Sequence, residues 1–116
     1  MSIERLHVGH RMSQIVTHGD TVYLAGQVAE RNAGGSVADQ TQEILDKIDG
    51  YLAEVGSDKT KILRATIWLS NIDTFDEMNG VWDAWVPEGH TPARACVEAR
   101  LAFPQFTVEI SVIAAR

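Results

Sequence analysis

The residues best suited to chemistry lie near the C-terminus, in two segments that read as β-strands. In the first, residues 93–100, polar and small apolar side chains alternate. Because successive side chains of a strand point to opposite faces, the apolar series is expected to pack against helices and the polar series to lie on the other face. The apolar series is Ala93, Ala95, Val97 and Ala99, and the polar series is Arg94, Cys96, Glu98 and Arg100. Either water or another subunit must cover that polar face.

Glu109 stands in the second strand, residues 107–115, which is otherwise largely apolar. Both sides of this strand carry apolar residues near its C-terminal end, and such strands are usually buried on both faces. This pattern favours an oligomer contact through the second face of the sheet. Glu109 itself has two interpretations: an ion pair with a nearby arginine, or a carboxylate whose pKa is raised by partial desolvation and which therefore suits proton transfer.

Cys96 is the only cysteine, so no intramolecular disulfide is possible, and a lone thiol fits a reducing compartment. A cysteine among alanines usually packs as a small apolar residue. Arg94 lies two residues away on the same face, which leaves activation of the thiol open. Packing is favoured, with Cys96 lining a pocket.

No metal or nucleotide motif is present. The four histidines have no acidic or cysteine partner at ligand spacing, so no metal site is expected. They are His7, His10, His18 and His90. Phosphate-binding loops and dinucleotide-binding glycine motifs are also absent.

The composition indicates one globular domain over residues 1–116, with 45% hydrophobic and 22% charged residues. The net charge of −6 and the scattering of the 10 basic residues make nucleic acid an unlikely partner. No apolar run is long enough to span a membrane, and the first residues have no apolar signal core. The expected location is therefore the cytoplasm.

The elements that position these residues begin with a hairpin and a helix. Segments 14–17 and 21–25 are predicted strands around the turn His18-Gly19-Asp20. Ser36 is predicted to cap a helix that runs to about Val55, with Gly56 ending it. Gln40 is expected on the solvent side of this helix.

A second strand-and-helix pair follows. Residues 62–70 read as a strand with Ala65, Ile67 and Leu69 on one side. Thr74 and Glu77 form a capping-box signature for a second helix, which Pro87 and Gly89 end. Its predicted buried stripe consists of Phe75, Met78, Val81, Trp82 and Trp85. The order β-β-α-β-α-β-β predicts an α+β sandwich with both helices on one face of a mostly antiparallel sheet.

Taken together, these segments resemble the Rid (reactive intermediate deaminase, RidA/YjgF-like) family over nearly the whole chain. Four pieces carry the resemblance: residues 19–27 (GDTVYLAGQ), 40–41 (QT) with 56–59 (GSDK), 75–79 (FDEMN), and 92–97 (PARACV) with 108–110 (VEI). The piece at 92–97 is the most specific. The resemblance implies a chorismate-mutase-like fold and a homotrimer whose sheets line a central barrel, with active sites in clefts between subunits.

The family's activity, as the resemblance implies it, is hydrolysis of 2-imino acids such as 2-iminobutanoate and 2-iminopropanoate to 2-keto acids and ammonia, without a cofactor. Arg94 matches the arginine that holds the substrate carboxylate. Glu109 matches a carboxylate that positions or activates water. Asn79 and Cys96 match positions that shape the pocket.

Two positions depart from the best-studied members of the family. Met12 stands where a tyrosine is typical, and Ala25 stands where a serine is typical. Both changes remove a hydroxyl from the pocket, which favours larger or more hydrophobic imino acids, or slower turnover of small ones. Two other functions stay open: a non-enzymatic protein that binds small carboxylates, and, less favoured by the acidic charge, RNA cleavage or translation inhibition.

Overall fold

The structure is a computed structural model that describes residues 1–116, and it consists of one sheet covered on one face by two helices. Its strands are β1 (Ile3–Val8), β2 (Ser13–His18), β3 (Thr21–Leu24), β4 (Ile62–Leu69), β5 (Ala93–Glu98) and β6 (Val108–Ala115). Its helices are α1 (Val37–Glu54) and α2 (Phe75–Trp85). The predicted α+β fold with both helices on one face is confirmed.

The six strands follow the order β1-β2-β3-β6-β4-β5 across the sheet. Every neighbouring pair is antiparallel except β4 and β5, which are parallel. A parallel pair needs a crossover connection, and α2 provides it. β5, which carries Arg94, is therefore an edge strand with α2 beside it. β1 was not predicted, because Glu4, Arg5 and His7 interrupt the apolar pattern of an exposed edge strand.

The predicted hairpin and the ends of the first helix are confirmed. β2 and β3 pair across a turn in which Gly19 has a φ of 60°, a conformation that favours glycine. The Ser36 hydroxyl accepts a hydrogen bond of 3.0 Å from the Asp39 N–H. α1 ends at Glu54, and Gly56 follows with a φ of 75°.

The capping box predicted for α2 is wrong. A 3₁₀ turn at Ile72–Thr74 precedes the helix, and the Thr74 hydroxyl donates back to the Asn71 carbonyl at 2.6 Å. It makes no capping bond to α2. Glu77 instead accepts a hydrogen bond of 2.9 Å from the Ala38 N–H, at the start of α1. The pair that looked like a local signature therefore joins the two helices.

The core lies between the helices and the sheet. The helices contribute Ile44, Leu45, Ile48, Leu52, Met78, Trp82 and Trp85, and the sheet contributes Ile15, Val22, Ala65, Ile67, Leu69, Val108, Ile110 and Val112. Phe75 does not join the predicted stripe, because it lies at the first residue of α2 and is 37% exposed. Neither helix has the length and apolar character needed to span a membrane.

Gln40 was predicted to face solvent, and it is fully buried. Its amide nitrogen donates to the carbonyls of Gly35 and Gln105, and its amide oxygen accepts from the Thr107 N–H at 3.0 Å. Burial of a polar side chain is tolerable here because these bonds replace its hydrogen bonds to water. Gln40 thereby ties the loop between β5 and β6 to α1.

On β4 and β6 the side chains divide between the two faces of the sheet as predicted. On β5 the polar series, and not the apolar series, faces the helices. Ala65 and Ile67 face the helices together with the apolar residues of β6. Arg94 pairs with Ala65, and Cys96 pairs with Ile67, so the polar series of β5 lies on the helix side. The alternation of side chains separates the two faces but does not say which one the helices cover. At this edge the Asn79 amide and the rings of Phe75 and Trp82, all on α2, contact the Arg94 guanidinium.

The opposite face of the sheet has no helix over it. Tyr23 and Val97 are 45% and 47% exposed there, and Trp68 and Ile113 are half-buried. They share this face because Tyr23 pairs with Ile113, and Trp68 pairs with Val97. Apolar residues therefore continue across a surface that the single chain leaves uncovered.

Candidate active site

Arg94 is held in place without a negatively charged partner. Its Nη1 donates to Oδ1 of Asn79 at 2.8 Å, and its guanidinium carbon lies 5.2 Å from the ring centre of Trp82 and 5.7 Å from that of Phe75. Lys47 pairs with Glu30 and His7 hydrogen-bonds Glu54, and neither contact involves Arg94, so no carboxylate neutralises the charge of Arg94. Cation–π contacts orient a guanidinium and leave its charge in place. Arg94 is thus a half-buried cation positioned to bind an anion.

The aromatic support of Arg94 was not recognised from the sequence. The spacing of Phe75 and Trp82 on α2 indicated core packing, and Trp82 does contribute to the core. Both rings also face the guanidinium. The only signal in the sequence was that Asn79 lies between them, so that one side of the helix carries the amide and both rings.

Replacement of Asn79 by alanine or by aspartate is expected to weaken carboxylate binding. Removing its hydrogen bond to a charged group should weaken binding of a small carboxylate about tenfold in Asn79→Ala. In Asn79→Asp the new carboxylate should pair with Arg94, neutralise it and weaken binding by about a hundredfold. Titration calorimetry with a 2-keto acid measures both. An aspartate variant that binds as well as wild type would contradict the assignment of Arg94 as the anion site.

Cys96 lies beside Arg94 and packs partly against the core. Burial raises the pKa of its thiol, and the charge of Arg94 offsets this only in part. A raised pKa keeps the sulfur protonated near neutral pH, which disfavours a nucleophilic thiolate. The structure therefore favours the packing interpretation of Cys96, as a partly buried side chain next to Arg94.

Glu109 lies on the other face of the sheet, opposite Trp68. It is half-buried and has neither an ion pair nor a hydrogen bond, which excludes the predicted alternative of an arginine partner within the chain. Burial raises the pKa of its carboxyl above the ordinary value. An unpaired, partly desolvated carboxylate of this kind is suited to accept and return a proton.

The segment that follows β3, residues 25–27, lies against the side chain of Glu109. A Cβ at Gly26 would overlap the Glu109 carboxylate where it lies in this structure, so a larger residue at this position would require the Glu109 side chain to move. Gln27 exchanges two backbone hydrogen bonds with Ile110, at 2.8 and 3.1 Å, which fixes the segment along β6. Ala25 directly precedes Gly26 and donates its N–H to the Gln14 carbonyl at 2.9 Å. Ala25 is thereby next in the chain to Gly26, which lies against the Glu109 carboxylate.

Met12 lies in the turn between β1 and β2, two residues before Gln14, and is 53% exposed. Its carbonyl accepts from the Gly9 N–H at 2.7 Å. The turn and the segment at Ala25 are thus neighbours through Gln14. Met12 has an exposed apolar side chain in the position where the family resemblance expects a hydroxyl.

The site residues form two groups on opposite faces of the sheet. Arg94, Asn79 and Cys96 lie on the helix face at the β5 edge, and Glu109 lies with Ala25 on the uncovered face. A single chain therefore does not bring the Arg94 guanidinium and the free Glu109 carboxylate together over one small molecule. A site that uses both residues must be assembled from two chains.

The histidines do not add to either group. His7 hydrogen-bonds Glu54 at 2.7 Å and lies against the ring of Tyr51 at a tilted angle, so its partners are on α1, whereas those of Arg94 are on α2. No three side chains among the His, Cys, Asp and Glu residues cluster in a way that would hold a metal ion.

Comparisons with known proteins cover the whole chain. The profile of a family described as endoribonuclease L-PSP matches residues 2–116. A RutC family protein of Haemophilus ducreyi is 42% identical across 97% of this chain and 96% of its own length. A YjgF family member from Neisseria meningitidis has a similar crystal structure, with a TM-score of 0.96, 46% identity, and coverage of 100% of this chain and 96% of that one. YyfA of Yersinia pestis, a protein of unknown function in the conserved Rid family, has a TM-score of 0.85 at 27% identity, covering 94% and 90%. The similarity thus includes the edge strand β1 and both groups of site residues.

Proposed function

The chain belongs to the endoribonuclease L-PSP family, whose members carry the names RutC, YjgF and Rid, and on this premise we propose that it hydrolyses 2-imino acids to 2-keto acids and ammonia. The observation that carries the proposal is the state of Arg94, a guanidinium held by an amide and two rings with no carboxylate to neutralise it. A guanidinium fork binds a carboxylate through two parallel hydrogen bonds and fixes its orientation. Every 2-imino acid carries such a carboxylate next to the reacting carbon.

The working unit in this proposal is a homotrimer in the cytoplasm. The uncovered face of the sheet, with Tyr23, Val97 and Trp68, becomes the contact between chains. Closed rotational symmetry then gives three equivalent clefts, each with Arg94 from one chain and Glu109 from its neighbour. This arrangement supplies the pairing of residues that one chain lacks.

The chemistry uses water and the protein's own groups, without a cofactor. Water attacks the carbon of the imine, which is protonated on nitrogen, while the Glu109 carboxylate takes one of the water protons. The product is a carbinolamine, in which the new C–O bond has formed and the C=N bond has become a single bond. Glu109 returns the proton to nitrogen, and the C–N bond breaks as the hydroxyl oxygen forms the C=O bond. The hydroxyl gives its proton to Glu109, which passes it to the departing ammonia, so that a 2-keto acid and an ammonium ion leave. Arg94 holds the carboxylate through these steps and keeps the reacting carbon in line with the water.

A protein that only binds small carboxylates is the main alternative. Such a protein would need Arg94 but not an unpaired Glu109, whose burial as a charge is unfavourable. The two functions separate on substitution of Glu109, which should remove turnover and leave binding. The family description names a ribonuclease, but the net charge of −6 opposes binding of a phosphate backbone.

The test of the proposal is a coupled assay in which an amino-acid oxidase generates the imino acid and semicarbazide traps what survives. Addition of the purified protein should suppress semicarbazone formation in proportion to its concentration, while 2-keto acid and ammonia appear in equal amounts. Heat-denatured protein is the control for trapping by protein amines. Undiminished trapping across short, branched and aromatic imino acids would remove the proposed reaction and favour the binding protein.

A further inference from the structure

We propose that the cavity at the ends of β4 and β5 receives the substrate side chain, and that the preferred substrates are 2-imino acids with large apolar or aromatic side chains. This inference rests on the proposed imine hydrolysis and names its substrate class. The cavity has a volume of about 830 Å³ and contains neither Arg94 nor Glu109. It is thus distinct from the surroundings of both of these residues.

The position of the cavity connects it to Glu109. Backbone pairing continues beyond the two strands, since the Ser70 N–H donates to the Thr107 carbonyl at 3.1 Å and the Ala99 N–H donates to the Leu69 carbonyl at 2.9 Å. Ser70 follows Trp68 by two residues, and Thr107 precedes Glu109 by two. The alternation of a strand therefore places Ser70, which lines the cavity, on the Glu109 face about 7 Å along from the Trp68–Glu109 pair.

The lining suits an apolar group of substantial size. Its apolar lining includes Leu101, Phe103 and Phe106, and the rings of Phe103 and Phe106 meet edge to face at 6.1 Å, while Ser70, Glu98 and Arg100 form the polar part of the lining. Phe103 is 57% exposed, a ring that the single chain does not bury. A methyl group, as in the imine derived from alanine, would leave most of such a space to water. A benzyl or isobutyl group would cover the exposed rings and gain from their removal from water.

The walls of the cavity are held by hydrogen bonds to the body of the protein. Buried Gln40 binds the Gln105 carbonyl and the Thr107 N–H, both at 3.0 Å, and the Gly34 N–H binds the same carbonyl at 2.9 Å. On the other side the Glu98 carboxylate accepts from the Ile72 N–H at 3.0 Å. The loop from β5 to β6 is thus fixed at both ends, and a pocket that exists before binding requires little ordering of the chain.

The inference is tested by Phe103→Ala, with Ala102→Trp as a second variant that fills the cavity from an exposed position. In wild type, kcat/KM for the phenylalanine-derived imino acid should exceed that for the alanine-derived one by about tenfold or more. Either variant should remove this preference. Leu63→Ala, an exposed apolar residue at the opposite end of β4, is the matched control and should preserve the preference. Binding of phenylpyruvate and pyruvate, measured by calorimetry, gives a readout that does not need turnover.

Four results would test the inference. An unchanged preference in both cavity variants, or none in wild type, would overturn the inference. A change in the number of subunits per assembly in Phe103→Ala, measured by native mass spectrometry, would also overturn it, because the cavity would then be a contact between chains. If no imino acid is turned over but phenylpyruvate binds at least tenfold more tightly than pyruvate, and only through Phe103, the proposed reaction fails and the side-chain pocket stands.

Discussion

Replacement of Arg94 by alanine is expected to lower kcat/KM for every 2-imino acid by about a thousandfold, because two charge-assisted hydrogen bonds to the substrate carboxylate are lost together. The loss should be common to small and large substrates, since all of them carry the carboxylate. The measurement is the oxidase-coupled trapping assay, in which the variant should leave semicarbazone formation nearly as fast as without protein. Arg94 lies half-buried on an edge strand, so the variant should fold.

Two controls make this result specific. Arg31→Ala removes an exposed arginine that makes no side-chain bond, and it should keep wild-type activity. Arg94→Lys keeps the charge without the planar fork and should fall between alanine and wild type. A lysine variant equal to wild type would show that charge alone suffices, and an active alanine variant would place the carboxylate site elsewhere.

Replacement of Glu109 by glutamine is expected to lower turnover by about a hundredfold or more while 2-keto acid binding stays within about twofold of wild type. Glutamine keeps the size of the side chain over Gly26 but cannot take a proton from water. Single-turnover kinetics measures the first quantity and calorimetry the second. Glu88→Gln, an exposed carboxylate in the loop after α2, is the matched control. Equal loss of binding and turnover would assign Glu109 to substrate binding instead.

The dependence of kcat/KM on pH is expected to follow the ionisation of Glu109. Burial raises the pKa of Glu109 above its ordinary value of 4.5, so its carboxyl stays protonated to a higher pH than that of a free glutamate. Because the ionised form accepts the proton from water, kcat/KM should rise with pH along a limb centred above 4.5. That limb should be absent from the residual activity of Glu109→Gln. A limb at the same pH in the glutamine variant would belong to another group.

The strengths and gaps of the sequence prediction have physical causes. Ser36 and Gly56 were predictable ends of α1 because one side-chain bond and one positive φ act locally. The faces of β4 and β6 were predictable from alternation. For β5 the alternation was equally clear, but the side that faces α2 depends on contacts with Asn79 and Trp82, which are distant in sequence. Gln40 was misplaced for the same reason, since its bonds to Gln105 and Thr107 are tertiary.

The candidate site was likewise predictable only in part. Arg94 and Glu109 were identified from their surroundings and from the family resemblance, and the structure gives each of them a free charge or an unpaired carboxyl. Their separation by the thickness of the sheet was not predictable, because it follows from the helix side of β5. The helical spacing of Phe75 and Trp82, the two rings beside Arg94, indicates core packing alone. The position of Arg94 and Glu109 on opposite faces of the sheet supports the proposal of a cleft between chains, which the resemblance implied.

The most direct test of a site built from two chains is a mixture of the two inactive variants, Arg94→Ala and Glu109→Gln. After joint refolding or co-expression, half of the Arg94 positions and half of the Glu109 positions are intact, so about one quarter of the clefts in a closed ring hold both residues. Activity in the mixture should therefore return to about a quarter of wild type, although each variant refolded alone stays inactive. If native mass spectrometry finds mixed assemblies and the mixture remains as inactive as its components, Arg94 and Glu109 do not meet across a subunit boundary and the proposed site is wrong.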